Sequence, residues 1–338
     1  MTEKKELWEA LLGQISVSGN EESIGQVITE YMGPYADEIR QDEMNSTVCV
    51  LNPDASEKIM LSAHGDEIGL IVSRITEQGL LQAVARGGII PSTYPGHQVC
   101  VKTRQGVKYG VIQAPGEKMR EGGLKTGDFF IDIGASGREE AEALVHIGDS
   151  VVFDTQIRSL QGSRFSARAL DDRLGVYIIM EAFRRAKEQG CTCGVYSAAT
   201  AGEETTKNGA YWSAMRIRPS LAIVVDVTWT SDYPGTKPEE TGEVKLGGGP
   251  VLCDSPIVAR GLNERLERCA GKAGIPIQWE VAERLSCTDA DKIHFSGDGV
   301  PVALVSIPLR YMHTPAEVAD WKDVEGCIKL IKEFLLGD

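Results

Sequence analysis

The segment LSAHGDEIGLIV, residues 61–72, decides how the chain is interpreted. It begins as an apolar strand that continues from Ile59 and Met60 and would normally run on into a protein core. Instead the strand ends in a histidine and two carboxylates, and aliphatic residues resume after a glycine. A strand that ends in ionisable groups indicates a functional edge of a sheet. The segments on either side of it indicate the architecture.

Helices and strands alternate on both sides of this segment. Helical periodicity is present over residues 4–15 and 21–34, and helices and apolar strands alternate again after Ala167. Strands that are apolar on both faces and separated by helices are typical of a parallel sheet covered by helices. The sequence therefore predicts an α/β fold with a mainly parallel sheet sandwiched by helices.

A different pattern occupies the middle of the chain, from about residue 69 to residue 163. Short apolar segments alternate there with Gly, Pro and Asp, as in HQVCVKT, GVKYGVIQ and DSVVFDT. That spacing is typical of a small antiparallel barrel or sandwich. We therefore expect an inserted β-domain over residues 68–163. It would divide one α/β domain built from residues 1–67 and 164–338.

Composition and charge exclude several classes of partner. The chain has 338 residues, 42% of them hydrophobic, and a formal net charge of -14. An excess of acidic residues is unfavourable for nucleic acids and anionic membranes, which attract clustered Lys and Arg. The N-terminal segment lacks the uninterrupted apolar region of a secretory signal, and no stretch approaches the ~20 apolar residues of a membrane span. We expect a cytoplasmic protein without a nucleic-acid or membrane partner.

Ionisable residues follow other predicted strands in the same way as in the opening segment. In open α/β sheets, ligands bind at the carboxyl ends of the strands. Besides His64 and Asp66, the residues expected at this edge are Asp171 in ALDDR, Glu203 and Glu204 in AGEE, Asp226 in VVDVT and His313 in YMHT.

This set of residues predicts a metal site. Carboxylates a few ångströms apart raise one another's pKa, so they cannot all be ionised unless positive charge compensates them. One or two divalent cations would do so. Nitrogen and oxygen ligands without thiolates suit zinc, cobalt or manganese, and two ions that share a carboxylate lie about 3.5–4 Å apart. His64 and Asp66 face the same side of an extended strand, so Asp66 could orient the imidazole.

Each residue also has an ordinary structural explanation when it is taken alone. A single histidine at a strand end is commonly hydrogen-bonded for structural reasons, adjacent acids such as Glu203 and Glu204 commonly face solvent, and Asp171 could complement a helix N-terminus. Asp226 is different, because an aspartate flanked by aliphatic residues is costly to bury without a partner. The combination, rather than any single residue, predicts the site.

The motifs HGDEIG, ALDDR, GEE, VVDVT, SCTDA and IPLRYMHTP occur in the order and spacing of a known family. The chain resembles the M42 family of metallo-aminopeptidases, which includes glutamyl aminopeptidases and the tetrahedral TET peptidases, over essentially its whole length. The resemblance implies the dinuclear-zinc peptidase fold, split by a β-barrel dimerisation domain. It also implies self-association, up to a dodecamer.

The resemblance further implies two divalent metal ions per subunit, zinc first, with cobalt or manganese as alternatives. Five residues would be ligands, one the general base and one a supporting aspartate. One ion would be held by His64 and Asp226, a second by Glu204 and His313, and both by Asp171, with Glu203 as general base and Asp66 behind His64.

The predicted function is the removal of N-terminal residues from peptides by a water molecule that Glu203 activates. Two departures from the family pattern, residues 205–208 after GEE and Cys287 in place of a glycine, lie near the expected substrate side and bear on specificity. Two alternatives stay open. A metal-independent glycoside hydrolase could use paired carboxylates but has no use for two histidines. A non-catalytic assembly protein of the same fold would be marked by lost ligands.

Overall fold

The structure is a computed structural model that describes residues 6–337. Its helices are α1 (Leu7–Leu12), α2 (Glu22–Met32), α3 (Gly116–Glu121), α4 (Arg138–Leu144), α5 (Leu170–Glu188), α6 (Asn208–Ile217), α7 (Pro238–Thr241), α8 (Arg260–Ala273), α9 (Asp289–His294) and α10 (Trp321–Leu336). Its strands are β1 (Glu38–Gln41), β2 (Thr47–Leu51), β3 (Lys58–His64), β4 (Gly69–Ile75), β5 (Leu81–Arg86), β6 (Gln98–Thr103), β7 (Gly106–Gln113), β8 (Phe130–Asp132), β9 (Ser150–Phe153), β10 (Arg158–Ser159), β11 (Arg164–Ala167), β12 (Gly194–Thr200), β13 (Leu221–Trp229), β14 (Val251–Asp254), β15 (Gln278–Val281), β16 (Val302–Leu309) and β17 (Glu317–Asp320).

An eight-stranded sheet forms the centre of the larger part of the chain, in the order β1-β2-β12-β3-β13-β16-β14-β15. The four central strands, β12, β3, β13 and β16, are parallel to one another. They are apolar along most of their length because both faces of the sheet are covered. Their carboxyl ends therefore meet at one edge.

Alternate residues of each central strand pack into two separate cores. On β13, Ile223 and Val225 belong to the core formed with α5 and α10, where Phe183 and Phe334 are fully buried. Val224 points to the opposite face and packs in the core formed with α6 and α9. Burying each such side chain stabilises the fold by about 1.5–3 kcal/mol. The sheet is thus sandwiched by helices, as predicted.

A closed barrel with the strand order β4-β5-β8-β7-β6-β9 occupies the middle of the chain. Its interior has a core of its own, in which Tyr94 stacks against Phe129 and contacts Phe153. The predicted fold class, a mainly parallel helix-covered sheet with an inserted small β-barrel, is confirmed. The structure adds the short helices α3, α7 and α9, which the sequence pattern did not predict. Within residues 6–337, no helix is long and apolar enough to cross a membrane.

Candidate active site

The carboxyl edge of the sheet gathers the predicted site residues. His64 is the last residue of β3, and Asp226 lies near the end of β13. The pair Glu203 and Glu204 follows β12. Asp171 lies at the start of α5, and His313 lies in the turn after β16. Since β12, β3, β13 and β16 are parallel, side chains far apart in sequence are brought to one place.

Three of these residues form a first cluster with metal-ligand spacing. The Nε2 atom of His64 lies 3.0 Å from Asp171 Oδ1 and 3.9 Å from Asp226 Oδ1. One ligand atom from each of the three residues lies within 4.8 Å of the other two. All three side chains are buried. One nitrogen and two carboxylate oxygens are a donor set that suits a divalent transition metal.

A second cluster shares Asp171 with the first. The Nε2 atom of His313 lies 3.3 Å from Asp171 Oδ2 and 3.6 Å from Glu204 Oε1. These ligand atoms also lie within 4.8 Å of one another. Asp171 therefore directs one carboxylate oxygen toward each histidine, which is the arrangement of a carboxylate that bridges two ions.

A hydrogen bond at Nδ1 fixes the orientation of each imidazole. His313 Nδ1 lies 2.9 Å from the carbonyl oxygen of Gly88, in the loop after β5 of the barrel. His64 Nδ1 lies 3.2 Å from the carbonyl oxygen of Asp66. An Nδ1–H that donates to a carbonyl leaves the Nε2 lone pair directed toward the carboxylates.

The side chain of Asp66 holds the turn that carries the two glutamates. Its Oδ1 accepts a hydrogen bond from the backbone N–H of Glu203 at 3.0 Å, and its Oδ2 accepts one from Glu204 at 3.2 Å. Asp66 is fully buried and also lies 3.5 Å from His64 Nδ1. It therefore connects the end of β3 to the turn after β12.

The electrostatics of the two clusters favour a bound cation. Burial raises the pKa of Asp226 well above its usual range, and burial together with the charge of Asp171 does the same for Glu204. Burial lowers the pKa of His313, but Asp171 and Glu204 raise it to about 9. Glu204 Oε1 is also buried without a hydrogen-bond partner among residues 6–337. These donors fit divalent metal ions, because a cation would satisfy that oxygen and offset the repulsion between the carboxylates.

Glu203 lies beside the first cluster. Its Oε2 is 3.9 Å from His64 Nε2. Its Oε1 accepts a hydrogen bond from Lys207 Nζ at 2.5 Å, and the same ammonium donates to the carbonyl oxygen of Cys287 at 2.7 Å. One carboxylate oxygen is therefore anchored while the other faces the site.

The sequence did not reveal two residues that support this arrangement. Glu317 accepts hydrogen bonds from the backbone N–H groups of Leu170, at 2.8 Å, and His313, at 2.9 Å, so it links α5 to the turn after β16. Lys207 anchors Glu203, as described above. Helical spacing four residues after Glu203 was a weak signal for Lys207, whereas nothing in AEVAD distinguishes Glu317 from a solvated acid.

A cavity of about 1210 Å³ opens onto both clusters. Its walls include the residues of the two clusters, Lys207 and Cys287, and they continue along β13, β14, β15 and β16. Residues 205–207 line it as well; they belong to the segment 205–208 that departs from the family pattern. A peptide end could therefore reach the clustered carboxylates from solvent.

Proteins of known sequence or structure match nearly the whole chain. The lysyl aminopeptidase of Pyrococcus furiosus is 33% identical over 340 residues, which cover 98% of this chain and 96% of the relative. A TET aminopeptidase from the marine sediment archaeon Thaumarchaeota archaeon SCGC AB-539-E09 superposes with a TM-score of 0.92 at 33% identity, covering 98% of this chain and 95% of that one. The TET1 peptidase of Pyrococcus horikoshii superposes with a TM-score of 0.89 at 31% identity, covering 98% and 99%.

A match to a family sequence profile establishes the family of the chain. A sequence profile described as M42 glutamyl aminopeptidase matches residues 45–330. Fold, site and match together define the class of the chain as a peptide hydrolase, an aminopeptidase. The chain belongs to the M42 glutamyl aminopeptidase family.

All seven predicted site residues lie together in the structure. The structure groups His64, Asp171 and Asp226 in one cluster and Asp171, Glu204 and His313 in the other. The role assigned to each side chain stays a prediction, which the experiments below address.

Proposed function

We propose that the protein is a dinuclear metal-dependent aminopeptidase, which removes the N-terminal residue of peptides. The observation that carries this proposal is the shared carboxylate of Asp171, with one oxygen toward His64 and the other toward His313. Two ligand sets with a common bridge suit a pair of ions better than a single ion. A metal-independent glycosidase would need only paired carboxylates and would leave both histidines without a purpose.

The residues that would hold the ions follow from the two clusters. His64 and Asp226 would bind one ion, Glu204 and His313 the other, and Asp171 both. Ions bound there would lower the pKa of water and polarise the scissile carbonyl. Zinc is the metal we expect, with cobalt or manganese as alternatives, because all three accept mixed imidazole and carboxylate ligands.

Glu203 is the proposed general base. Its Oε2 faces the clusters, close enough to take a proton from an attacking water molecule and return it to the leaving amine. Lys207 fixes the opposite oxygen, and the contacts of Asp66 with the backbone of Glu203 hold the turn in place. The chain thus supplies orientation and proton transfer. The acidic character of the site would favour the free α-ammonium group of a peptide.

Hydrolysis of a panel of aminoacyl chromogenic substrates tests this function. We expect the metal-loaded protein to hydrolyse unblocked substrates, to lose activity on treatment with a chelator, and to regain it when zinc, cobalt or manganese is returned. N-acetylated versions of the same substrates serve as the control and should resist cleavage, because they lack the ammonium group. Activity on these substrates that survives complete metal removal would indicate a peptidase mechanism without metal, whereas a protein that cleaves none of them would favour the glycosidase alternative.

The barrel is a proposed self-association domain within the boundaries 68–163. Its strand β7 exposes Val107, Tyr109 and Val111, alternate residues that share one face, and Tyr109 is 67% exposed. Contiguous exposed apolar residues commonly mark interfaces. The related TET1 peptidase of Pyrococcus horikoshii can assemble into a tetrahedron or a large octahedral shell. We propose that this chain forms homo-oligomers, up to a dodecamer, and acts in the cytoplasm.

Sedimentation velocity tests the self-association. The chain has a mass of 36.6 kDa, and we expect the parent protein to sediment as a multiple of that mass. Tyr109→Asp should shift the distribution toward smaller species, because a charge would be buried in the interface without a partner. Met44→Asp, at an exposed apolar residue in the turn between β1 and β2, is the matched control and should leave the distribution unchanged. A parent protein that sediments as a monomer would contradict this assignment.

A further inference from the structure

The part of the cavity formed by β15 holds a carboxylate that the proposed chemistry does not use. Glu280 lies on β15 and lines the same cavity as the two ligand clusters. Its Oε1 accepts a hydrogen bond from Ser306 Oγ at 2.7 Å, and its Oε2 accepts one from Thr228 Oγ1. Two hydroxyl donors therefore fix the carboxylate in one orientation.

Those two hydroxyls place the carboxylate next to the metal-binding edge. Ser306 on β16 is paired with Asp226 on β13, and Thr228 is two residues beyond Asp226 on the same strand. Because side chains alternate along a strand, Asp226 and Thr228 point to the same face of the sheet. The Glu280 side chain thus extends across β14 to two residues that neighbour Asp226, a proposed metal ligand.

The wall around this carboxylate is apolar or small. It includes Cys253 on β14 and Leu304 on β16, both of which belong to the core on this face of the sheet, and Ala282 just after β15. A side chain bound beside Glu280 would therefore contact apolar atoms as well as a carboxylate. Lysine and arginine have this distribution of polarity, with an aliphatic stem and a cationic head.

We propose that the part of the cavity around Glu280 is the pocket for the side chain of the substrate's N-terminal residue. Glu280 would select lysine or arginine there. The inference rests on the proposed function, since it needs the scissile bond at the metal clusters. A carboxylate among apolar groups is stabilised by a cation and repels an acidic side chain. Burial also raises the pKa of Glu280, while the hydrogen bonds from Thr228 and Ser306 act in the opposite direction.

The other charges at the cavity are less suited to select a side chain. Lys292 on α9 lines the cavity too, but it is exposed to solvent, and water screens its charge. The ammonium of Lys207 already donates hydrogen bonds to Glu203 and to the carbonyl oxygen of Cys287. The side chains of Glu240 and Glu283, which also line the cavity, are 59% and 89% exposed. Glu280 is therefore the charged group fixed within the apolar part of the cavity.

The test compares kcat/KM of the metal-loaded enzyme on lysyl, arginyl, leucyl and glutamyl substrates. We expect the parent protein to prefer the two basic residues. Glu280→Gln keeps the size and one acceptor oxygen, so it should lower kcat/KM for lysyl and arginyl substrates by about 30-fold and change the leucyl value by less than about threefold. Glu283→Gln is the matched control, at an exposed acid lining the same cavity, and should leave the ratio of lysyl to leucyl activity unchanged.

Three results would overturn the inference. One is a parent protein that prefers leucyl or glutamyl substrates. A second is a Glu280→Gln variant with an unaltered ratio of lysyl to leucyl activity. The third is a loss of equal size on every substrate, which would assign Glu280 to the α-ammonium group or to the fold. Failure of the proposed function looks different, because then no substrate in the panel would be cleaved in a metal-dependent way.

Discussion

Replacing Glu203 with glutamine is expected to lower kcat by about 10²–10⁴-fold while both metal ions stay bound. A glutamine amide has the shape of the carboxylate but cannot accept the proton of an attacking water molecule. The Oε2 of Glu203 lies 3.9 Å from His64 Nε2, so it lies beside the first cluster without being part of either triad. Metal binding should therefore not depend on its charge.

The measurement pairs steady-state kinetics with elemental analysis of the same preparation. Glu283→Gln removes a carboxylate from the same cavity at an exposed position and is the control for lost negative charge. We expect that control to keep both its metal content and its turnover. If Glu203→Gln hydrolysed the best substrate at the parent rate, the base would have to be another residue.

The fold was largely predictable because its strands carry strong local signals. Strands β3, β12 and β16 are nearly continuous apolar runs, which only a covered parallel sheet accommodates. Strand β14 was not predicted, since the short segment VLCD follows three glycines and a proline and gains its place by pairing with β16. Such a strand is determined by tertiary pairing rather than by its own sequence.

The site was predictable where the chemistry is concentrated in short motifs. Asp226 stands out in VVDVT because burying it requires a compensating partner. Glu317 and Glu280 carry no such signal. Each lies in an ordinary polar and apolar alternation, and its role depends on hydrogen bonds to residues that are distant along the chain.

The parallel register explains why these distant residues meet. Asp226 pairs with Ser306 across β13 and β16, while Thr200 at the end of β12 pairs with His64 at the end of β3. A register shift of one residue would turn each of these side chains to the opposite face. The apolar alternation that fills both cores therefore also aligns the residues of the two clusters.

Replacing Asp171 with asparagine is expected to have the largest effect on metal binding, because this residue belongs to both clusters. An asparagine side chain has one acceptor oxygen, so it can serve one ion but not two. We expect the bound metal to fall from two ions per chain to one or fewer. The value of kcat/KM should then fall by about 10³-fold or more, since an ion that polarises the carbonyl contributes several kcal/mol.

Thermal unfolding gives a readout of the same change that does not depend on activity. A ligand at 100 times its Kd stabilises the folded state by about 2.7 kcal/mol, which corresponds to roughly 4 °C in Tm for each ion bound to the parent protein. In Asp171→Asn, saturating zinc should raise Tm by at most half as much as in the parent. Glu283→Gln, which removes one negative charge at an exposed position, should show the full increase. A variant at Asp171 that binds two ions with the parent's affinity would show that the two clusters do not share a bridging carboxylate.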